Sequence, residues 1–329
     1  MSDARATETD ALAAGVRRGD RAALARAITL VEGRRPDQEA RAQELLAKLL
    51  PNAGGSARVA ISGVPGVGKS TFIEALGCLL VERGLRVGVL AVDPSSSVSG
   101  GSIMGDKSRM HRLSQHELAY IRPSPSATTL GGVTRRTRET IVVLEAAGYD
   151  VVLVETVGVG QSEYAARDLV DLFCVLALPG AGDELQGIKR GILEVCDVIA
   201  VNKCDGERRL SAENAARQLM SALSTFGADP SDPPPPVLCV SALEGTGLAE
   251  LWSLVEERIA SERADGTLEA RRRDQSERWM SERVREALER SFAEDPAVAA
   301  LDAEVRRAVR AGELTPIQGA ERLLAAYRG

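Results

Sequence analysis

The sequence predicts an α/β fold in which a mostly parallel central sheet is flanked by helices, and three observations support this prediction. Short apolar runs rich in β-branched residues alternate with helical stretches between residues 57 and 262. Most of these runs are continuously apolar, which is typical of strands covered on both faces. Polar and glycine-rich motifs directly follow the runs, and parallel sheets bind ligands beyond the carboxyl ends of their strands.

Residues 1–56 are predicted to form an N-terminal helical extension. Apolar residues recur at helical spacing from Leu12 to Val31, and a second apolar stretch follows at 45–50. Pro36 suits the first turn of the last helix, because its fixed φ matches a helix and its missing N–H needs no partner there. Residues 52–56 have the composition of a linker.

Residues 57–262 are predicted to form the sheet domain. Its strands are expected at residues 58–62, 86–92, 118–121, 151–155, 172–178, 198–202 and 236–241. Helical stretches separate most of them, as right-handed βαβ units require.

A glycine-rich motif lies between the first strand and a helix that begins near Thr71. It reads Gly63-Val64-Pro65-Gly66-Val67-Gly68-Lys69-Ser70 and fits the phosphate-binding pattern G-x-x-x-x-G-K-[ST]. Glycines let backbone N–H groups turn toward phosphates, and the helix N-terminus adds partial positive charge. Lys69 is expected to reach the β- and γ-phosphates as a catalytic residue, and Ser70 to hold Mg²⁺. The motif predicts binding of a nucleoside triphosphate.

Two later motifs narrow the nucleotide to guanine. Asn202-Lys203-Cys204-Asp205 ends the strand at 198–202 and matches N-K-x-D. The Asp205 carboxylate can accept two hydrogen bonds from guanine, whereas adenine would leave it unsatisfied. Lys203 would pack on the base, and Asn202 would brace the loop. Ser241-Ala242-Leu243 follows the next strand and matches the second base-contacting loop of GTPases.

Three carboxylates are candidate Mg²⁺ ligands at the same edge of the sheet: Asp93, Asp106 and Glu155. Glu155-Thr156-Val157-Gly158 matches D-x-x-G with glutamate in the first position, and the Gly158 N–H would sense the γ-phosphate. Asp93 could also act in catalysis, and Gln161 could position the attacking water, although its spacing differs from that of small signalling GTPases. Ordinary surface acids are the alternative for Asp93 and Asp106.

Two further segments contain several glycines: 128–136, which ends in Arg135-Arg136, and 178–189, which ends in Lys189. Loops of this kind at the ligand edge suit switching or partner contact, and plain connections are the alternative. Lys189 is a candidate catalytic residue that could approach the phosphates.

Residues 263–329 are predicted to form a C-terminal helical arm. The stretch 268–292 is charge-dense and helical, and Pro296 and Pro316 mark further helix starts. Such an arm buries little by itself, so it must pack either on the sheet domain or on a second copy of the chain, and we favour a dimer contact.

Composition excludes several classes of protein. The 329 residues carry a formal charge of −6, and only 3% are aromatic, which argues against a nucleic-acid partner. No apolar run approaches the ~20 residues that a membrane helix needs, and the acidic N-terminus does not resemble a signal peptide. Five cysteines without a C-x-x-C pair suggest buried thiols in the cytoplasm.

With these motifs the chain resembles the MeaB/ArgK family of P-loop GTPases over nearly its whole length. The resemblance depends on residues 63–71, 91–96, 105–110, 155–163 and 202–205. It implies a homodimer of GTPase cores, each flanked by an N-terminal extension and a C-terminal dimerisation arm. It also implies that the partner is the adenosylcobalamin-dependent methylmalonyl-CoA mutase, with the GTPase as a chaperone that gates cofactor loading and protects the mutase. The cobalamin would belong to the partner.

Two alternatives come from other classes. A metallochaperone of the nickel-insertion type should carry a Cys/His cluster near the nucleotide, and the sequence shows none. A small-molecule kinase would need a substrate pocket in place of guanine recognition, and Asp205 argues against that. The sequence therefore favours slow hydrolysis of GTP to GDP and phosphate, accelerated by the partner.

Overall fold

The computed structural model describes residues 2–33, 35–92, 110–124, 130–156, 161–179, 196–226 and 234–328, and it confirms the predicted parallel sheet. The strands are β1 (Ala57–Gly63), β2 (Val87–Val92), β3 (Ala119–Ser124), β4 (Val151–Glu155), β5 (Leu172–Ala177), β6 (Val198–Val201) and β7 (Val237–Cys239). They lie in the order β3-β2-β4-β1-β5-β6-β7, and each pair of neighbours described runs parallel.

Strand lengths differ from the predictions at both edges of the sheet. β3 was expected to end at residue 121 and instead pairs with β2 as far as Ser124, opposite Val92. Pro123 is tolerated within it because β3 is an edge strand, where a missing N–H need not break a ladder. At the other edge β7 is shorter than predicted, because the chain leaves the sheet after Cys239 to form the Ser241 loop.

Twelve α-helices occur in the described part of the chain. The N-terminal three are α1 (Ser2–Arg17), α2 (Arg21–Val31) and α3 (Pro36–Leu49). Those between strands are α4 (Lys69–Glu82), α5 (His111–Ser114), α6 (Leu130–Ala146), α7 (Gln161–Arg167), α8 (Arg209–Phe226) and α9 (Leu248–Ala264). The last three are α10 (Thr267–Glu294), α11 (Pro296–Arg310) and α12 (Pro316–Arg328), which confirms the helix starts predicted at Pro36, Pro296 and Pro316.

The N-terminal helices share one hydrophobic core with the sheet. Leu24 and Ile28 of α2 and Leu45 of α3 are fully buried in a cluster that contains Leu144 of α6 and Phe173 of β5. On the other face, α4 contacts β1, β2 and β4, and α9 contacts α4. The amphipathic pattern of the first 50 residues is thus explained by burial against α6 and the sheet.

A buried carboxylate fixes the connection between the N-terminal helices and β1. Glu145 of α6 accepts hydrogen bonds from Gly54 N at 2.8 Å and from Ser56 Oγ at 3.0 Å. Both its oxygens also accept from the Arg58 guanidinium, each at 2.8 Å. Because this charge is paired and hydrogen-bonded, its burial is tolerated and the linker has a defined path.

Contacts divide the chain into two compact units, Met1–Asp265 and Gly266–Gly329. In the second unit α11 packs on α12 and contacts α10, and the Phe292 and Tyr327 rings meet edge-to-face with centroids 5.5 Å apart. Asp295 caps α11 by accepting from Ala297 N at 2.9 Å. The division of the sequence into segments 1–56, 57–262 and 263–329 stays a prediction. No helix in the described residues is both long and apolar enough to cross a bilayer.

Candidate functional site

The loop between β1 and α4 has the backbone that a phosphate-binding loop needs. Gly63, Gly66 and Gly68 have φ angles of 143°, 84° and 96°, a region that favours glycine. A Cβ on Gly63 would stand 2.6 Å from the Leu176 carbonyl oxygen of β5. The loop can therefore curl tightly over the strand end only because this position has no side chain.

Lys69, the first residue of α4, points its ammonium back into this loop. Its Nζ donates to the Gly63 carbonyl oxygen at 2.7 Å and to that of Val64 at 3.3 Å. The positive end of α4 begins at the same residue. Ammonium and helix terminus together make the loop a site for anionic oxygens.

Ser70 and Glu155 come together at the carboxyl ends of two adjacent strands. β1 and β4 pair so that Ile61 lies opposite Glu155, and the Ser70 hydroxyl donates to Glu155 Oε1 at 2.9 Å. A hydroxyl and a carboxylate are hard oxygen donors of the kind that Mg²⁺ prefers. The donor set therefore fits a magnesium ion.

Asn202 links the two loops predicted to bind the base, 202–205 and 241–243 (the base loops), to the loop at 63–70 (the phosphate loop). This side chain is buried, its Nδ2 donates to the Val67 carbonyl oxygen at 2.9 Å, and its Oδ1 accepts from Ala242 N at 3.3 Å. A Cβ on Gly68 would lie 3.1 Å from the same Nδ2. One amide therefore sets the spacing between three loops.

Lys203 adopts a left-handed backbone with φ 62°, which is uncommon for a residue with a side chain. Its Nζ donates to the Gly66 carbonyl oxygen at 2.8 Å. Backbone strain of this kind persists where the surrounding structure holds it, and it often occurs at binding sites. Here it lays the lysine stem from β6 across to the phosphate loop.

Sequence reasoning missed the role of the Ser241 side chain. Its hydroxyl donates to Asp205 Oδ2 at 2.6 Å and accepts from Glu244 N at 3.0 Å. This bond fixes the Asp205 carboxylate while leaving acceptor capacity for a ligand. Ala242, in the loop expected to contact the base, donates its N–H to Asn202 Oδ1 at 3.3 Å. A hydroxyl residue at the start of the loop was the only signal available in the sequence.

Two cysteines lie in or next to the base loops: Cys204 in the 202–205 loop, and Cys239 at the end of β7. Cys204 belongs to the Asn202–Asp205 motif, donates its N–H to the Val240 carbonyl oxygen at 3.0 Å, and has its side chain buried. Burial, and next a hydrogen bond with Cys204, raises the pKa of Cys239 to about 11. The Cys239 thiol is therefore protonated at neutral pH and acts as apolar packing.

Several predicted site residues fall in segments that the structure leaves undescribed. Asp93, Asp106, Gly158 and Lys189 lie outside the described residues, and Gln161 is described only as the first residue of α7. Of the remaining residues, Leu243 is 82% exposed beside the base loops, and Thr71 is exposed on α4. The roles assigned to all these residues remain predictions.

The family model described as "Methylmalonyl Co-A mutase-associated GTPase MeaB" matches residues 24–297. The chain belongs to the MeaB family of GTPases. The predicted resemblance is confirmed, and with it GTP and GDP binding and the assignment of the protein as a GTP hydrolase.

Individual relatives agree with this assignment. A probable GTPase of Mycobacterium tuberculosis is 56% identical over 315 residues, which is 96% of this chain and 94% of the relative. The "Methylmalonic aciduria type A homolog, mitochondrial" of Mus musculus is 44% identical over 338 residues, covering 100% and 81%. The crystal structure of a protein named "LAO/AO transport system kinase" superposes on this chain with a TM-score of 0.78 at 36% identity, and the match covers 98% of each chain. The P-loop GTPase fold predicted from the motifs is thereby confirmed.

Proposed function

We propose that this GTPase is a regulatory chaperone of an adenosylcobalamin-dependent methylmalonyl-CoA mutase, gating cofactor loading and protecting the loaded enzyme. The observation that carries the proposal is the match of residues 24–297 to a family whose description names the mutase. The murine relative, whose name refers to methylmalonic aciduria, supports the same link. The nickel-insertion alternative gains no support, because the described residues contain no group of three or more His, Cys, Asp or Glu side chains placed to hold a metal.

In the proposed mechanism the base loops select guanine and the phosphate loop holds the triphosphate. The Asp205 carboxylate, oriented by Ser241, accepts hydrogen bonds from the base, while Lys203 packs along its face. The remaining loop residues proposed to bind nucleotide are Gly63, Val64, Pro65, Gly66, Val67, Gly68, Lys69, Ser70, Thr71, Asn202, Ala242 and Leu243. Lys69 stabilises charge on the β- and γ-phosphates during in-line attack by water.

The metal and water-positioning roles are proposed partly for residues outside the described segments. Ser70 and Glu155, which are hydrogen-bonded to each other, would hold Mg²⁺ together with Asp93 and Asp106. When bound, the ion neutralises phosphate charge. Gln161 and Asp93 would orient the water, Lys189 would approach the phosphates, and the Gly158 N–H would sense the γ-phosphate.

The experiment that tests the function measures GTP turnover with the purified mutase of the source organism. We expect slow hydrolysis by the GTPase alone and faster hydrolysis when apo-mutase is added. The Lys69→Ala variant serves as the control for contaminating GTPases, because it lacks the proposed phosphate contact. If the mutase changes neither the rate nor the co-elution of the two proteins, the chaperone proposal is wrong.

A homodimer is also proposed, and exposed apolar residues of the second unit support it. Met280, Val284 and Leu288 recur every fourth residue along α10, and each is more than half exposed. On α12, Ile317 is 72% exposed. A contiguous apolar stripe on a soluble protein commonly marks an interface. Light scattering of the full chain should give twice the 34.9 kDa monomer mass. The double variant Val284→Glu/Leu288→Glu should be monomeric. A monomeric native protein would contradict the proposal.

A further inference from the structure

The aspartate directly before β6 joins the two helices that follow the nucleotide-binding motifs. Asp197 has a buried carboxylate, only 6% exposed, at the end of the sheet opposite the nucleotide loops. Its Oδ2 accepts from Phe173 N of β5 at 2.7 Å, which fixes the carboxylate between two strands. Two guanidinium groups reach it from different helices.

The first guanidinium belongs to α7, the helix that follows the Glu155–Gly158 motif. Arg167, the last residue of α7, contacts Asp197 in bidentate fashion, with Nη1 to Oδ2 at 2.6 Å and Nη2 to Oδ1 at 3.2 Å. Its Nη1 also lies 3.3 Å from the Asp171 carbonyl oxygen, just before β5. Paired N–H···O bonds fix orientation as well as distance, so the carboxyl end of α7 has a defined position.

The second guanidinium belongs to α9, the helix that follows the Ser241 loop. Arg258 Nη2 lies 2.7 Å from Asp197 Oδ1, and its Nε donates to Glu262 one turn later at 3.1 Å. The two arginines thus share one carboxylate, and Arg258 uses the same oxygen that Arg167 contacts with Nη2. A displacement of α7 therefore alters the partner that holds α9.

We infer that Asp197 couples the two helices, so that the nucleotide state sensed next to α7 changes the stability of α9. This coupling requires that α7 shifts when the γ-phosphate is gained or lost. Segments that follow a γ-phosphate sensor shift in this way in GTPases. When Arg167 moves away from Asp197, the Asp197–Arg258 contact strengthens, because the two arginines share Oδ1. When Arg167 moves closer, the Asp197–Arg258 contact weakens. The inference rests on the GTPase function and adds an internal route by which that function reaches α9.

Hydrogen–deuterium exchange on the full chain tests the coupling. The protein is loaded with GDP or with the non-hydrolysable analogue guanosine 5′-[β,γ-imido]triphosphate, and exchange is compared for 161–167 and 248–264. We expect the native protein to show a nucleotide-dependent difference in both helices. In Arg258→Gln the difference in α9 should fall at least about threefold while that in α7 remains.

Two matched variants make the result specific. Arg258→Lys keeps the positive charge but loses the planar guanidinium. The nucleotide-dependent difference in α9 exchange should therefore be smaller than in the native protein and larger than in Arg258→Gln. Glu257→Gln changes one charge on the same turn at an exposed position and should leave the native difference intact. An α9 segment that does not respond to nucleotide, or a response that persists in full in Arg258→Gln, would overturn the coupling. Loss of nucleotide binding by the native protein would instead contradict the GTPase function, so the two failures are distinguishable.

Discussion

The amide of Asn202 donates a hydrogen bond to the carbonyl oxygen of Val67 at 2.9 Å, across 135 residues of sequence. This bond joins the end of β6 to the phosphate loop, and the Asn202 oxygen continues the connection to Ala242. The loops proposed to recognise the base and the phosphates are thus held together as one unit. Such a buried amide is demanding, since any partner that is removed leaves an unsatisfied polar group.

Replacing Asn202 with aspartate should keep one of its two hydrogen bonds and remove the other. The carboxylate can still accept from Ala242 N, but it cannot donate to Val67 and would place a negative charge against that carbonyl oxygen. We expect GDP to dissociate at least about tenfold faster, which corresponds to about 1.4 kcal/mol. Stopped-flow release of a fluorescent GDP measures this rate, and an unchanged rate would show that the loop spacing does not depend on Asn202.

Removal of the Lys69 ammonium should abolish hydrolysis without unfolding the protein. Lys69 is only partly buried and its ammonium contacts loop carbonyls, so Lys69→Ala costs little packing. We expect turnover to fall below detection while far-UV circular dichroism stays the same. Residual turnover near the native rate would remove Lys69 from the mechanism.

The Ser241 hydroxyl should contribute to affinity but not to the choice of base. Ser241→Ala leaves Asp205 charged and unoriented, at a cost of about 1 kcal/mol for one hydrogen bond. GTP and GDP should therefore bind roughly five- to tenfold more weakly, while preference for guanine over xanthine nucleotides is retained. Calorimetric titration with GDP checks the first expectation, and competition with XDP checks the second.

Asp197 should be a major contributor to stability, in addition to its proposed coupling role. Asp197→Asn keeps the shape but leaves two guanidinium groups without their carboxylate. Because Arg167 and Arg258 are 24% and 37% exposed, we expect the lower end of the range for a broken buried pair, about 3 kcal/mol. Urea denaturation gives the free energy of unfolding. Asp302→Asn, which removes an exposed partner of Arg306 on α11, is a control that should cost well under about 1 kcal/mol.

The strands, the positions of the motifs and three helix starts could be predicted from the sequence, because each depends on a local pattern of residues. Continuous apolar runs identified the seven strands because both faces of the sheet are covered, and the motifs fell at strand ends because parallel sheets place ligands there. Proline placement fixed three helix starts for an equally local reason, its fixed φ.

The remaining features depend on register between distant segments. Ser241 and Asp205 meet because β6 and β7 pair with Val201 opposite Cys239, which no local pattern encodes. The periodicity of the first 50 residues showed an apolar face but not that α6 would cover it. The assignments of Asp93, Asp106, Gly158, Gln161 and Lys189 stay predictions, because they depend on segments outside the described residues.

We propose that Asp205, which accepts a hydrogen bond from Ser241 at 2.6 Å, recognises the guanine base. The most direct measurement compares GTP and XTP hydrolysis by the native protein and by Asp205→Asn. An amide offers an N–H where the carboxylate offered an acceptor, so it matches the second carbonyl of xanthine. We predict that Asp205→Asn prefers XTP over GTP in kcat/KM and leaves the stability of the fold unchanged. Retained preference for GTP in a folded Asp205→Asn variant would contradict the account.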